Sequence, residues 1–178
     1  MRTQRIIAYV FATCLLSLVA GSAIAAAEPG DSNASLKDTY RIFSQTSGVG
    51  STAHGYFIGA ITYDGHGQAR MTDRGTIIDS NNHSNPPSAP SFEEMGIFTY
   101  AVKRDGSFTQ AGSFTSNPEE SFTYTITGVK WVGQISPDGS VLILSGAIPP
   151  EPSIFTHEGV SSEGLGGFSA TAVRIRPE

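Results

Sequence analysis

Phe122-Thr123-Tyr124-Thr125-Ile126-Thr127 alternates apolar and hydroxyl-bearing residues without a break. In an extended chain this puts the two rings and the isoleucine on one face and the three threonines on the other. A helix would scatter the same residues around its circumference, so the stretch reads as a β-strand with one buried face. Related patterns recur on both sides of it. Gly55 to Tyr63 and Gly96 to Arg104 are rich in aromatic and β-branched residues. Phe168 to Arg176 sets Arg174 and Arg176 on the face opposite Val173 and Ile175. Val141-Leu142-Ile143-Leu144 is a continuous apolar run, the pattern of a strand covered on both faces.

Three Asp-Gly turns punctuate these segments: Tyr63-Asp64-Gly65-His66-Gly67, Arg104-Asp105-Gly106-Ser107 and Pro137-Asp138-Gly139-Ser140. Tight hairpins need a positive φ, which glycine adopts without a Cβ clash, and the aspartate caps its own turn. The turns predict three antiparallel hairpins, Gly55–Tyr63 with Gln68–Ile78, Gly96–Lys103 with Phe108–Ser116, and Val129–Ser136 with Val141–Ile148. Thr39–Ser44, Ser121–Thr127 and Phe168–Arg176 bring the total to about nine strands, or about eight if Ser121–Ser136 is one strand bent at Gly128. Helix formers are scarce. After residue 25 the leucines are Leu36, Leu142, Leu144 and Leu165 and the lysines are Lys37, Lys103 and Lys130, and only Phe92-Glu93-Glu94-Met95 reads as a helical turn. The fold class is all-β, an antiparallel up-and-down meander. The last strand can pair with the first, which favours closure into a small barrel over the alternative, a β-sandwich. Asp79 to Ser91 reads as a polar, proline-broken loop, and an irregular region is expected from Pro149 through Gly167.

The first residues have the organisation of a secretory signal. Arg2 and Arg5 precede an apolar run from Ile6 to Ala20, and Ala23-Ile24-Ala25 offers the small residues a signal peptidase requires. The run is shorter than the roughly 20 residues of a membrane-spanning helix. The expected organisation is a signal peptide over 1–25, a flexible mature N-terminus over 26–38 and a single β-barrel domain over 39–178, exported to the periplasm or beyond the cell. Cleavage would remove Cys14, the one cysteine, so no disulfide or thiol chemistry is expected. Nine basic residues would then face sixteen acidic ones, a formal charge of −7. That charge discourages phosphate backbones and anionic membrane surfaces, and no later stretch is apolar enough to span a bilayer. No nucleic-acid partner and no membrane span of the mature chain are expected. The oligomeric state is not written in the pattern.

Gly59-Ala60-Ile61-Thr62-Tyr63-Asp64-Gly65-His66-Gly67, Gly96 through Gly106, and Gly133-Gln134-Ile135-Ser136-Pro137-Asp138-Gly139 carry a resemblance over roughly residues 40–148. They are similar to small exported bacterial β-proteins with the cadence of calycin-like barrels, including the allene oxide cyclase type. The resemblance implies a barrel with an apolar cavity, and it carries no catalytic residue over to this chain.

Motifs for known chemistries are few. His54, His66, His83 and His157 form no metal-ligand spacing, and no phosphate loop, nucleophile elbow or cofactor motif occurs, so neither a metal nor a cofactor is expected. Glu93-Glu94 and Glu119-Glu120 read as solvated surface pairs. The strand aromatics are more informative: Tyr56, Phe98, Tyr100, Tyr124 and Trp131 are the expected ligand-binding residues, against the alternative that they simply fill the core. Three functions follow. The first is a barrel that binds a small hydrophobic or aromatic molecule in its interior. The second is a cofactor-free cyclase or isomerase working in an apolar cavity, for which His54, Tyr56 and Asp73 are the candidate catalytic groups. The third is a non-enzymatic envelope structural or interaction protein with a filled interior.

Overall fold

Alternating burial runs through almost every strand of the computed structural model, which describes residues 32–48, 53–79, 91–119 and 123–175. Ten strands form one sheet. They are β1 (Lys37–Gly48), β2 (Ala53–Asp64), β3 (Gln68–Asp79), β4 (Ser91–Val102), β5 (Ser107–Ser116), β6 (Tyr124–Ile135), β7 (Val141–Gly146), β8 (Ser153–His157), β9 (Val160–Gly164) and β10 (Gly166–Arg174). β1 through β5 pair in sequence, β5 pairs with β6, β6 with β7, β7 with β10, and β10 with β1, all antiparallel. That circuit is a closed eight-stranded barrel, and β8–β9 is a hairpin added outside it. The barrel prevails over the sandwich because closure removes both sheet edges.

All three Asp-Gly turns lie at one end, called here the lower end. Gly65, Gly106 and Gly139 have φ of 81°, 80° and 66°. Asp64 Oδ1 accepts the His66 and Gln68 backbone N–H groups at 2.7 and 3.0 Å, and Asp105 and Asp138 repeat the arrangement with Ser107 and Ser140. Just inside this end Tyr40, Tyr63, Tyr100 and Phe108 pack edge to face, with Tyr63 and Tyr100 centres 5.0 Å apart at 88°. With Leu36, Ile42, Ile61 and Leu142 they fill the lower half of the interior.

Several expectations change. Phe92–Met95 is not a helical turn: its residues continue the in-out alternation of β4, with Phe92 and Glu94 facing inward. The irregular region from Pro149 holds the β8–β9 hairpin and the start of β10, because Glu158 and Gly159, both at positive φ, make a turn that the prolines upstream obscure. Ser121–Ser136 contributes one strand, β6, bent at Gly128 (φ 75°), so the barrel has the smaller strand count. Val141–Leu144 is not covered on both faces, since Ile143 points outward and is 62% exposed. The last residues of the segment expected to be flexible cap the lower end: Leu36 is fully buried, Tyr100 donates its hydroxyl to the Leu36 carbonyl at 2.7 Å, and the Val102 N–H donates to Asn33 Oδ1. The apolar run 6–20 and most of the loop expected over 79–91 lie outside the described residues, although Asp79 and Ser91 belong to β3 and β4. No helix among the described residues is long and apolar enough to cross a membrane.

Candidate functional site

The upper half of the barrel is not filled. A cavity of about 380 Å³ lies there, within the size range of small-molecule sites. It sits beside the point where β7 stops at Gly146 and β6 exchanges partners, pairing with β7 through Trp131–Ile135 and with β8 through Tyr124–Thr127. Six aromatic rings stand in its walls. Trp131 stacks on Phe168 with ring centres 3.9 Å apart at 6°, and packs against Phe114 at 5.6 Å. On the other side Tyr124 stacks on Phe155 of β8 at 5.4 Å, while Phe57 meets Phe92 at 5.9 Å.

Two buried carboxyls interrupt this lining. β3 turns Ala69, Met71 and Asp73 inward, and β4 turns Phe92, Glu94 and Phe98 inward. The β3–β4 register sets Asp73 directly opposite Glu94. Cross-strand partners on one face are close enough for their side chains to meet, and these two carboxyls hydrogen-bond to each other. On β2, the partner of Asp73 is Gly59, and a Cβ there would lie 2.4 Å from the Asp73 Cβ. The missing side chain makes the room that Asp73 uses. On β5, the partner of Glu94 is Ser116, whose hydroxyl accepts the Tyr124 backbone N–H at 2.8 Å. That bond fixes the start of β6, and from there the Tyr124 hydroxyl donates to Glu94 Oε2 at 2.5 Å. Asp73 Oδ1 is buried with no hydrogen-bond partner among the described residues.

Burial dominates the electrostatics. Asp73 and Glu94 are 6% and 7% exposed. Loss of water pushes the Asp73 carboxyl from its ordinary value up to about 8, and the neighbouring Glu94 adds to the rise. Burial also raises Glu94, while hydrogen bonds from Tyr124 and Asp73 hold it lower than burial alone would. Burial and then the adjacent Glu94 keep the Tyr124 hydroxyl protonated. At neutral pH the Asp73 carboxyl therefore holds its proton, and the Glu94 carboxyl beside it binds a proton more tightly than an ordinary glutamate. Two carboxyls whose surroundings shift their proton affinities can donate and accept protons within one site.

The structure brings some of the expected residues together and separates others. Asp73, Tyr124 and Trp131 line the cavity. Phe98 lies beneath it, packed on Trp131 and Phe114. Tyr100 belongs to the lower core, bound to Leu36. His54 and Tyr56 are on the outer face, Tyr56 42% exposed, because the period of β2 turns Gly55 and Phe57 inward instead. Glu94, Phe57, Phe114, Phe155 and Phe168 are site residues that sequence reading missed. For Glu94 a signal was present: stepping back by twos from Phe98 through Gly96 reaches it. His66 donates its backbone N–H within a capped turn, and His157 Nδ1 meets the Thr123 carbonyl at 2.6 Å. Among the described residues no group of three or more His, Cys, Asp or Glu is placed to hold a metal ion. Protein-family models, curated proteins and solved structures return no match to this chain, so the functional reading rests on geometry.

Proposed function

We propose that the protein is an exported β-barrel that binds a small hydrophobic or aromatic molecule in the upper half of its interior. The observation that carries the reading is the aromatic-walled cavity, set above a core that is packed in the lower half. An envelope interaction module needs no such space. Burying ligand surface against these rings is worth about 25 cal/mol per Å² removed from water. The chain's one tryptophan, Trp131, lines the cavity and reports on its contents. Titration with a panel of lipids, terpenoids and aromatics is expected to give a saturable change in Trp131 emission for at least one class. The same ligand is expected to stabilise the fold by about 2.7 kcal/mol at a hundred times its Kd. Flat emission and an unmoved melting temperature across the panel would contradict the reading.

The cofactor-free isomerase or cyclase stands as a second reading because one specific arrangement favours it. Asp73 and Glu94 set two facing carboxyls in an apolar space, a pairing that can move a proton in double-bond migration or ring closure. In that reading Asp73 and Glu94 exchange protons with the substrate, and the Tyr124 hydroxyl stabilises charge on Glu94. His54 and Tyr56 take no part.

A further inference from the structure

The geometry points to an organic cation as the occupant of the cavity: a protonated amine on an aromatic or alkyl body, its ammonium seated against Asp73 and Glu94. This rests on the ligand-binding reading and narrows it to one chemical class.

The argument begins with what surrounds the two carboxyls. Facing them from the adjoining strands are Gly59 on β2, Ser116 on β5 and Tyr124 on β6, none of them basic. Arg74, one residue from Asp73, lies on the outer face and pairs there with Glu93. Lys130 at the cavity rim pairs with Glu151, both about half exposed. So the outward register pair Arg74–Glu93 is charge-matched, while the inward pair Asp73–Glu94 is acid against acid.

Asp73 and Glu94 face each other in the apolar wall, both buried, so a negative charge on either carboxyl has no basic group beside it among the described residues. A buried charge without a counter-charge is costly, and the described residues supply none beside the pair, Lys130 at the rim being matched by Glu151. An ammonium entering the cavity cancels that charge. Its N–H can also donate to Asp73 Oδ1, the buried acceptor that has no partner among the described residues. The rings of Phe57, Phe114, Tyr124, Trp131, Phe155 and Phe168 add the negative faces that attract cations and repel anions. A neutral alcohol satisfies the acceptor but leaves the charge, and a carboxylate adds a second one. The expected ranking is ammonium, then alcohol, then carboxylate.

The test uses the folded chain and three probes that share one body, naphthylethylamine, naphthylethanol and naphthylpropanoate, titrated by calorimetry at neutral pH. The ammonium is expected to bind at least about tenfold more tightly than the alcohol, and the carboxylate more weakly than either. In the double variant Asp73→Asn, Glu94→Gln, which conserves volume, the ammonium's advantage is expected to vanish while the alcohol stays within about threefold of its native affinity. An alcohol that matches the ammonium in the native chain overturns the inference and leaves the hydrophobic-ligand reading standing. A preference for the ammonium that survives in the double variant overturns it as well, since other groups then supply the selectivity. If none of the three binds, the inference is overturned, while the ligand-binding reading is decided by the wider panel of lipids, terpenoids and aromatics. Should the double variant fail to fold, the ranking in the native chain decides alone.

Discussion

Asp73 binds its proton more tightly in the folded chain than in the unfolded one, and stability must follow. An unfolded aspartate titrates near 4, and in the barrel the group is pushed up to about 8. Between about pH 4 and pH 8 the unfolded chain has released this proton while the folded chain keeps it. Stability from this group is therefore complete below about pH 4 and is lost as pH rises to about 8, by at most ~1.4 kcal/mol per pH unit. Asp73→Asn removes the slope, so in urea unfolding across that window the variant is expected to gain on the wild type as pH rises. Parallel curves for the two proteins would show that Asp73 is not buried as described. Asp73 was visible in the sequence as a lone acid in a strand, while the signal for Glu94, its even spacing from Phe98, was masked by its neighbour Glu93. Adjacent glutamates look like solvated surface, and only a committed strand phase sends Glu93 out to Arg74 and Glu94 in to Tyr124. The meeting of Asp73 with Glu94 depends on the β3–β4 register, which composition and alternation within each strand do not specify.

Elements closed by short-range signals were the most legible. The Asp-Gly turns fixed three hairpins because each needs only a glycine at positive φ and a capping carboxylate. The β8–β9 hairpin escaped notice for physical reasons: three prolines lie just before it, and every residue of β9 is exposed, so no alternation marks it. Yet this hairpin brings Phe155 over Tyr124 and so completes the cavity wall. It lies outside the closed circuit of strands, which separates its contribution to binding from its contribution to stability. Phe155→Ala is expected to weaken an aromatic ligand by about tenfold, since a stacked ring contributes roughly 0.5–1.5 kcal/mol beyond its buried area. The barrel's cooperative unfolding is expected to persist, with a loss at the low end of the roughly 3–5 kcal/mol typical of a fully buried ring, because Phe155 is only partly buried. Loss of the folded barrel in this variant would show that β8–β9 is part of the core.

At the scale of the whole molecule, closure divides the interior. The lower half, sealed by Leu36 and the tyrosine cluster, provides packing, and the upper half, where β6 changes partners, provides space. An all-β meander and pairing of the last strand with the first were legible because hairpins in series leave two edges to be joined. Which half would stay open was not, because that depends on where β7 ends and on residues brought together from nine strands. The carboxyl pair depends on this division. In an open sheet or a sandwich with a wet seam, Asp73 and Glu94 would each be hydrated and titrate as ordinary acids. The most direct test follows the side-chain carboxyl carbons of Asp73 and Glu94 by ¹³C NMR as pH is raised. The closed barrel predicts that Asp73 holds its proton to about pH 8 and that its titration is coupled to that of Glu94. Two independent transitions near pH 4 would contradict the buried pair, and with it the cavity that the pair lines.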